Sequence, residues 1–143
     1  MFRGQYNHTI DAKGRLIIPV KYREQLGDTF ICTKGFDKCL YLYPLAEWQN
    51  VEDRFGEINS TSKKARKLAR FFFGSSSECE LDKQGRVLIP AALREFAGLE
   101  KDTVLLGVRN RIEVWDANNL MEEETDEDMD DIVEDMGELG FMI

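Results

Sequence analysis

Two pairs of opposite charge stand at the same spacing in this chain, Asp11 with Arg15 and Asp82 with Arg86. Each pair frames a short phrase, "DAKGR" or "DKQGR", and each phrase carries a lysine, Lys13 in the first and Lys83 in the second. With Asp first and Gly fourth (Gly14, Gly85), both phrases predict a type I turn whose Asp accepts backbone N–H groups. A guanidinium on such a turn can hold guanine O6 and N7 bidentately, while a lysine beside it acts as a point charge for phosphate. Two readings compete. In one, Arg15, Arg86, Lys13 and Lys83 reach outward to nucleic acid, and Asp11 and Asp82 only structure the turns, because a carboxylate facing phosphate would repel it. In the other, the Asp–Arg pairs merely stitch each hairpin. Arg3, beside Gly4, is a further candidate cation of the same kind.

Other chemistry finds little support. His8 is the sole histidine, and the three cysteines (Cys32, Cys39, Cys79) include no C-x-x-C pair, so no metal ligand set is expected. The cysteines read as small buried side chains. A G-x-S-x-G elbow and a phosphate loop are both missing, so neither catalysis, a cofactor nor a small-molecule substrate is expected. No apolar run approaches the ~20 residues of a membrane span, and the reading is cytoplasmic with no membrane partner.

The elements that position the turns are written twice. Residues 11–27, "DAKGRLIIPVKYREQLG", and residues 82–98, "DKQGRVLIPAALREFAG", agree at eight of 17 positions, which makes a two-fold repeat the dominant organisation. Each copy predicts a strand, the turn, a return strand, a short helix begun by Pro19 or Pro90 and left-hand-capped by Gly27 or Gly98, then two strands. In the first strand Tyr6, His8 and Ile10 alternate. Cys79 and Leu81 fill the slots of His8 and Ile10 in the other copy, so His8 is expected to pack inward. A unit of about 40 residues buries too little core alone. The two should therefore interlock into one pseudo-two-fold barrel, an α+β, mainly β fold with flanking helices.

The expected division is a first unit over residues 5–47, a helical linker over 48–75, a second unit over 76–119 and an acidic helix or tail over 120–143. The linker predicts two helices. In one, Leu45, Trp48, Val51 and Phe55 recur at helical spacing. In the other, capped by Ser62, Lys63, Lys67 and Arg70 share a face opposite Ala65, Leu68, Ala69 and Phe72. That basic face is either solvated or in contact with phosphate or another subunit. Trp48 and "FFF" are expected to bury in a contact between copies. The formal charge of −8 misleads: 12 of the 27 carboxylates follow Trp115, leaving 15 against 19 cations, a body of net +4. Asp116 is expected to cap one helix running to about Gly137. Its Met129, Ile132, Val133 and Met136 share a face, and the tail either solvates, docks or competes with DNA for the basic surface.

The doubled turn, each copy followed by an Ile-Pro helix start, and "FFFG" before the second copy resemble the MraZ family over residues 1–115. These are bacterial regulators with two tandem swapped-hairpin domains of the SpoVT–AbrB type. The resemblance implies sequence-specific binding to double-stranded promoter DNA with short repeats, and a nucleoid-associated location. It further implies repression of the division and cell-wall gene cluster containing the protein's own gene, and assembly into a homo-oligomeric ring. An antitoxin-like reading is the alternative, in which an acidic tail binds a protein partner. The doubled unit argues against it, because antitoxins of this hairpin class typically carry one copy and dimerise.

Overall fold

Each copy of the repeated phrase folds into the same string of elements, and each string is completed by the other. The computed structural model describes residues 1–142. The first copy comprises β1 (Gln5–Thr9), β2 (Arg15–Ile17), α1 (Val20–Leu26), β3 (Thr29–Lys34) and β4 (Leu40–Pro44). The linker forms α2 (Leu45–Gly56) and α3 (Lys63–Phe72). The second copy comprises β5 (Ser77–Glu80), β6 (Arg86–Leu88), α4 (Ala91–Ala97), β7 (Asp102–Val108) and β8 (Arg111–Asp116), followed by α5 (Ala117–Glu124) and α6 (Met129–Glu138).

Six strands make one antiparallel sheet in the order β1-β7-β8-β4-β3-β5, and β2 with β6 makes a separate two-stranded ribbon. The strand that enters each turn therefore pairs with the other copy: β1 with β7, and β5 with β3. The strand that leaves each turn does the same, with Leu16 directly opposite Val87. This is the interlock expected of two half-sized units. Neither can fill its core without the other.

Why the sheet is so stable to slippage is visible in β4. Leu40 and Leu42 face an inner cluster with Leu16, Ile18, Phe30, Val87 and Ile89, while Tyr41 and Tyr43 face an outer one. All four are buried, so a one-residue slip would exchange two filled faces. The inner cluster lies between sheet, ribbon and the short helices α1 and α4. The outer cluster joins Tyr41, Tyr43 and Trp115 to Trp48 of α2, Phe72 of α3 and Leu120 of α5.

Several expectations change. Trp48 and Phe72 do not wait for another subunit, because the outer sheet face needs a cover and these residues supply it within the chain. Leu45 and Leu68, expected on buried faces, are exposed. His8 shares its side of β1 with Tyr6 and Ile10 but stays half-buried, since β1 is an edge strand with a neighbour on one side only. Gly98 takes the left-handed cap (φ 66, ψ 30), whereas Gly27 (φ 86, ψ 168) has positive φ but turns straight into β3. Asp116 does cap α5, accepting from Asn119 N–H at 3.0 Å. The tail is nevertheless two helices, interrupted at residues 125–128, where Asp128 starts α6 by accepting from Asp130 N–H at 3.1 Å. A continuous helix there would stack the carboxylates of residues 122–128 at i, i+4 spacing, a repulsive arrangement. The three cysteines are buried and free.

Candidate nucleic-acid interface

Both phrases form the turn their residues require. Gly14 N–H donates to Asp11 O at 2.9 Å, and Gly85 N–H to Asp82 O at 3.0 Å. Asp11 Oδ1 accepts from Lys13 N–H (3.0 Å) and Arg15 N–H (2.9 Å), and its Oδ2 from Arg15 Nε (2.7 Å). Asp82 repeats the pattern with Gln84 N–H (2.9 Å), Arg86 N–H (2.9 Å) and Arg86 Nε (2.8 Å). The backbone N–H of the arginine, aided by its guanidinium, holds each carboxyl below its ordinary value. Each Asp uses only the Nε edge of its arginine. The terminal amino groups of Arg15 and Arg86 make no hydrogen bond within the chain among the described residues.

Each turn is locked by the opposite copy. Ile18 N–H donates to Gly85 O, and Ile89 N–H to Gly14 O, both at 2.9 Å. Arg94, anchored through Nε to Ile89 O at 3.0 Å, lays its guanidinium against Gly14. A Cβ on Gly14 would lie 2.6 Å from Arg94 Cζ, and the φ of +88° disfavours any side chain there. Arg23, anchored to Ile18 O at 2.7 Å, does the same over Gly85 (φ +75°).

On the ribbon, buried Leu16 and Val87 point inward, so Arg15, Ile17, Arg86 and Leu88 share the outward face. Arg15 sits opposite Leu88, and Arg86 opposite Ile17, which sets the two arginines on a diagonal with roughly 7–8 Å between Cα atoms. Ile17 and Leu88 are 41% and 60% exposed, an unusual place for branched apolar residues without a partner. Lys13 and Lys83 are exposed on the turns. Arg3 is not brought to the first turn. It lies at the other end of β1, where Tyr22 Oη of α1 donates to Arg3 O at 3.0 Å. Lys63, Lys67 and Arg70 are exposed along α3, as their spacing predicts. Among the described residues no group of three His, Cys, Asp or Glu is placed to hold a metal ion. No described helix is long and apolar enough to cross a membrane.

Four residues of this surface escape a reading of the turns alone. Arg23 and Arg94 were among the eight repeated identities, yet nothing in the sequence says that each reaches the other copy's turn. Ile17 and Leu88 take the outward positions of the return strands "RLII" and "RVLI", as the alternation of a strand allows.

An interlocked pair of hairpin units that sets two Asp-oriented arginines on one exposed ribbon defines the class, a duplicated swapped-hairpin protein. The chain belongs to the MraZ family. The family model described as "MraZ protein, putative antitoxin-like" matches it twice, over residues 1–71 and 72–135, in keeping with the duplication. The transcriptional regulator MraZ of Caldicellulosiruptor bescii is 51% identical over 143 residues, covering 99% of this chain and 100% of that one. That of Acetivibrio thermocellus is likewise 51% identical, with 99% and 100% covered. That of Desulfitobacterium hafniense is 56% identical over 115 residues, 80% of each chain.

Proposed function

We propose that this chain is a sequence-specific DNA-binding transcriptional regulator that reads its operator with the outward face of the β2–β6 ribbon. The observation that carries the reading is Arg15 and Arg86, set on a diagonal of that face, each oriented through Nε with its terminal amino groups free. A two-stranded ribbon fits the major groove, where arginine pairs with guanine and apolar side chains meet thymine methyls, the role given to Ile17 and Leu88. Lys13 and Lys83 neutralise flanking phosphates, and Arg3 touches the backbone outside the ribbon's footprint. Asp11, Gly14, Asp82 and Gly85 shape the turns and touch no DNA. The names of the relatives as transcriptional regulators support this non-enzymatic role.

The finer reading follows the family. The protein represses the division and cell-wall cluster that contains its own gene, working at the nucleoid in the cytoplasm. Copies assemble into a ring that engages several short promoter repeats, without cofactor or small-molecule substrate. The units over residues 5–47 and 76–119 contribute one turn each, joined by the linker over 48–75, and the segment 120–143 stands outside both. The test is a mobility shift with random DNA fragments followed by sequencing of those retained. Arg15→Ala should weaken the selected sequence by about 1–3 kcal/mol and relax its preference. Lys13→Ala should weaken all sequences alike and lower the salt slope by about 1. If no sequence is enriched, or Arg15→Ala lowers stability but leaves affinity per folded molecule unchanged, the Asp–Arg pairs are stitches only. Retention of a protein partner in place of DNA would favour the antitoxin-like alternative, which the family description names.

A further inference from the structure

Two apolar surfaces of this chain lack a partner, and their charges are complementary. The first is a groove of about 250 Å3 between α2 and α3, lined chiefly by Val51, Phe55, Ile58, Leu68 and Phe73. It is open: Ile58 is exposed, and so is Phe36 of the β3–β4 loop, which stacks on Phe72 with centroids 5.4 Å apart and walls one end. Its rim is cationic. Arg54 lines it directly, and Lys64 lies one helical turn before Leu68 on the same stripe of α3.

The second surface is α6. Met129, Ile132, Val133 and Met136 form a stripe at i, i+3, i+4 and i+7, and the other side carries Asp130, Asp131, Glu134, Asp135 and Glu138. No residue of this helix is buried, and Met129 is 64% exposed. A ten-residue helix is marginal in water by itself, so its stability must come from a surface that receives the stripe. α5 is tied down by buried Leu120 and by Asn119 Nδ2 donating to Ala97 O at 3.3 Å. It ends at Glu124, which lies with Gln5 and Asn7 of edge strand β1, three strands across the sheet from Tyr43 in the groove wall.

We propose that α6 of one copy docks in the α2–α3 groove of a second copy, as an amphipathic helix in an apolar groove. Its apolar stripe covers Ile58, Leu68 and Phe73, and its flanking carboxylates, Asp130 and Asp135, meet Arg54 and Lys64. The inference rests on the self-association included in the functional reading, and it assigns the acidic segment a place in that assembly. Docking would also order α6 and cover the opening beside Phe72 and Phe73 of the outer aromatic cluster.

The experiment uses two full-length variants, Leu68→Glu to spoil the groove and Val133→Glu to spoil the helix. Mass is read by light scattering, and folding by circular dichroism and thermal unfolding. Each variant alone should associate at least tenfold more weakly than the unaltered chain while remaining folded. Mixed in equal amounts they should regain pairwise complexes, because one contributes an intact helix and the other an intact groove. The charge-reversed pair Lys64→Glu with Asp135→Lys should associate better than either single change, keeping the test sound even if Leu68→Glu fails to fold. Variants that assemble like the unaltered chain, or a mixture that forms no complex, overturn the docking of α6 in trans. The second result is what docking within one chain would give. Assembly of the unaltered chain in those same tests leaves the ring reading standing, whereas a strictly monomeric unaltered chain overturns both.

Discussion

In the first turn Asp11 holds Arg15 and the two amides below it, and in the second Asp82 holds Arg86 in a geometry that agrees to within 0.1 Å for every side-chain bond. What the two turns carry is different. The first places Ala12 and Lys13 at its tip, the second Lys83 and Gln84. Behind the first copy, Tyr22 donates to Arg3 O and Gly4 O, where the second copy has Leu93 with no such reach. The duplication thus keeps the frame and frees the tips to diverge. Because each frame is closed by the other copy's helix and strand, damage to one turn should register in both.

The largest expected effect strikes the shared frame. Leu16 and Val87 face each other at the centre of the ribbon with no solvent exposure. Leu16→Ala should cost about 2–5 kcal/mol in denaturant unfolding, and Val87→Ala less, about 1–3 kcal/mol, for the smaller volume removed. A single transition should persist in both. Two separated transitions would mean that the copies fold as independent units and that the interlock contributes little to cooperativity.

The next effect tests the lock across copies. Gly14→Ala adds a methyl against Arg94 at positive φ, and should destabilise by about 1–3 kcal/mol. Arg94→Ala removes the obstacle but not the backbone strain, so the double variant should recover part of the loss, a coupling measurable by a double-mutant cycle. Gly85→Ala with Arg23→Ala should show the same coupling. Strict additivity in either cycle would deny the contact.

Much of this frame is legible in the sequence. The Asp-to-Gly spacing of the turns, the strands flanking them and the need of each half for the other follow from local turn chemistry and from the size of one unit. What has a tertiary cause is not legible there. Arg23 and Arg94 look like ordinary helix-surface residues, and only the swap brings them to the opposite glycine. Trp48 and Phe72 read as a contact between copies because the sequence does not disclose that Tyr41, Tyr43 and Trp115 present an outer face in need of cover. The break in the tail falls in residues 122–128, which carry no apolar side chain, and repulsion among carboxylates decides the backbone there.

The smallest effect compares the two carboxylates themselves. Both titrate below the ordinary value of 3.8, chiefly because each accepts the backbone N–H of its arginine. A carboxyl whose folded pKa is depressed binds fewer protons in the folded chain than in the unfolded one. Its contribution is therefore complete above the ordinary value and disappears as pH falls through the depressed one, so the window lies below about pH 4. Both groups face water, and the effect on the denaturation midpoint should be small. Asp11→Asn and Asp82→Asn should each flatten the acid limb of a midpoint-against-pH curve, and leave the slope near neutrality unchanged. Asn retains an oxygen for the backbone amides but cannot be deprotonated, so what is lost is the charge-dependent part alone. Equal flattening would support the equivalence of the two frames. A curve changed only by Asp11→Asn would mean that Lys13, absent from the second tip, contributes to holding the first carboxylate, and the two turns would then differ in their frames as well as in what they carry.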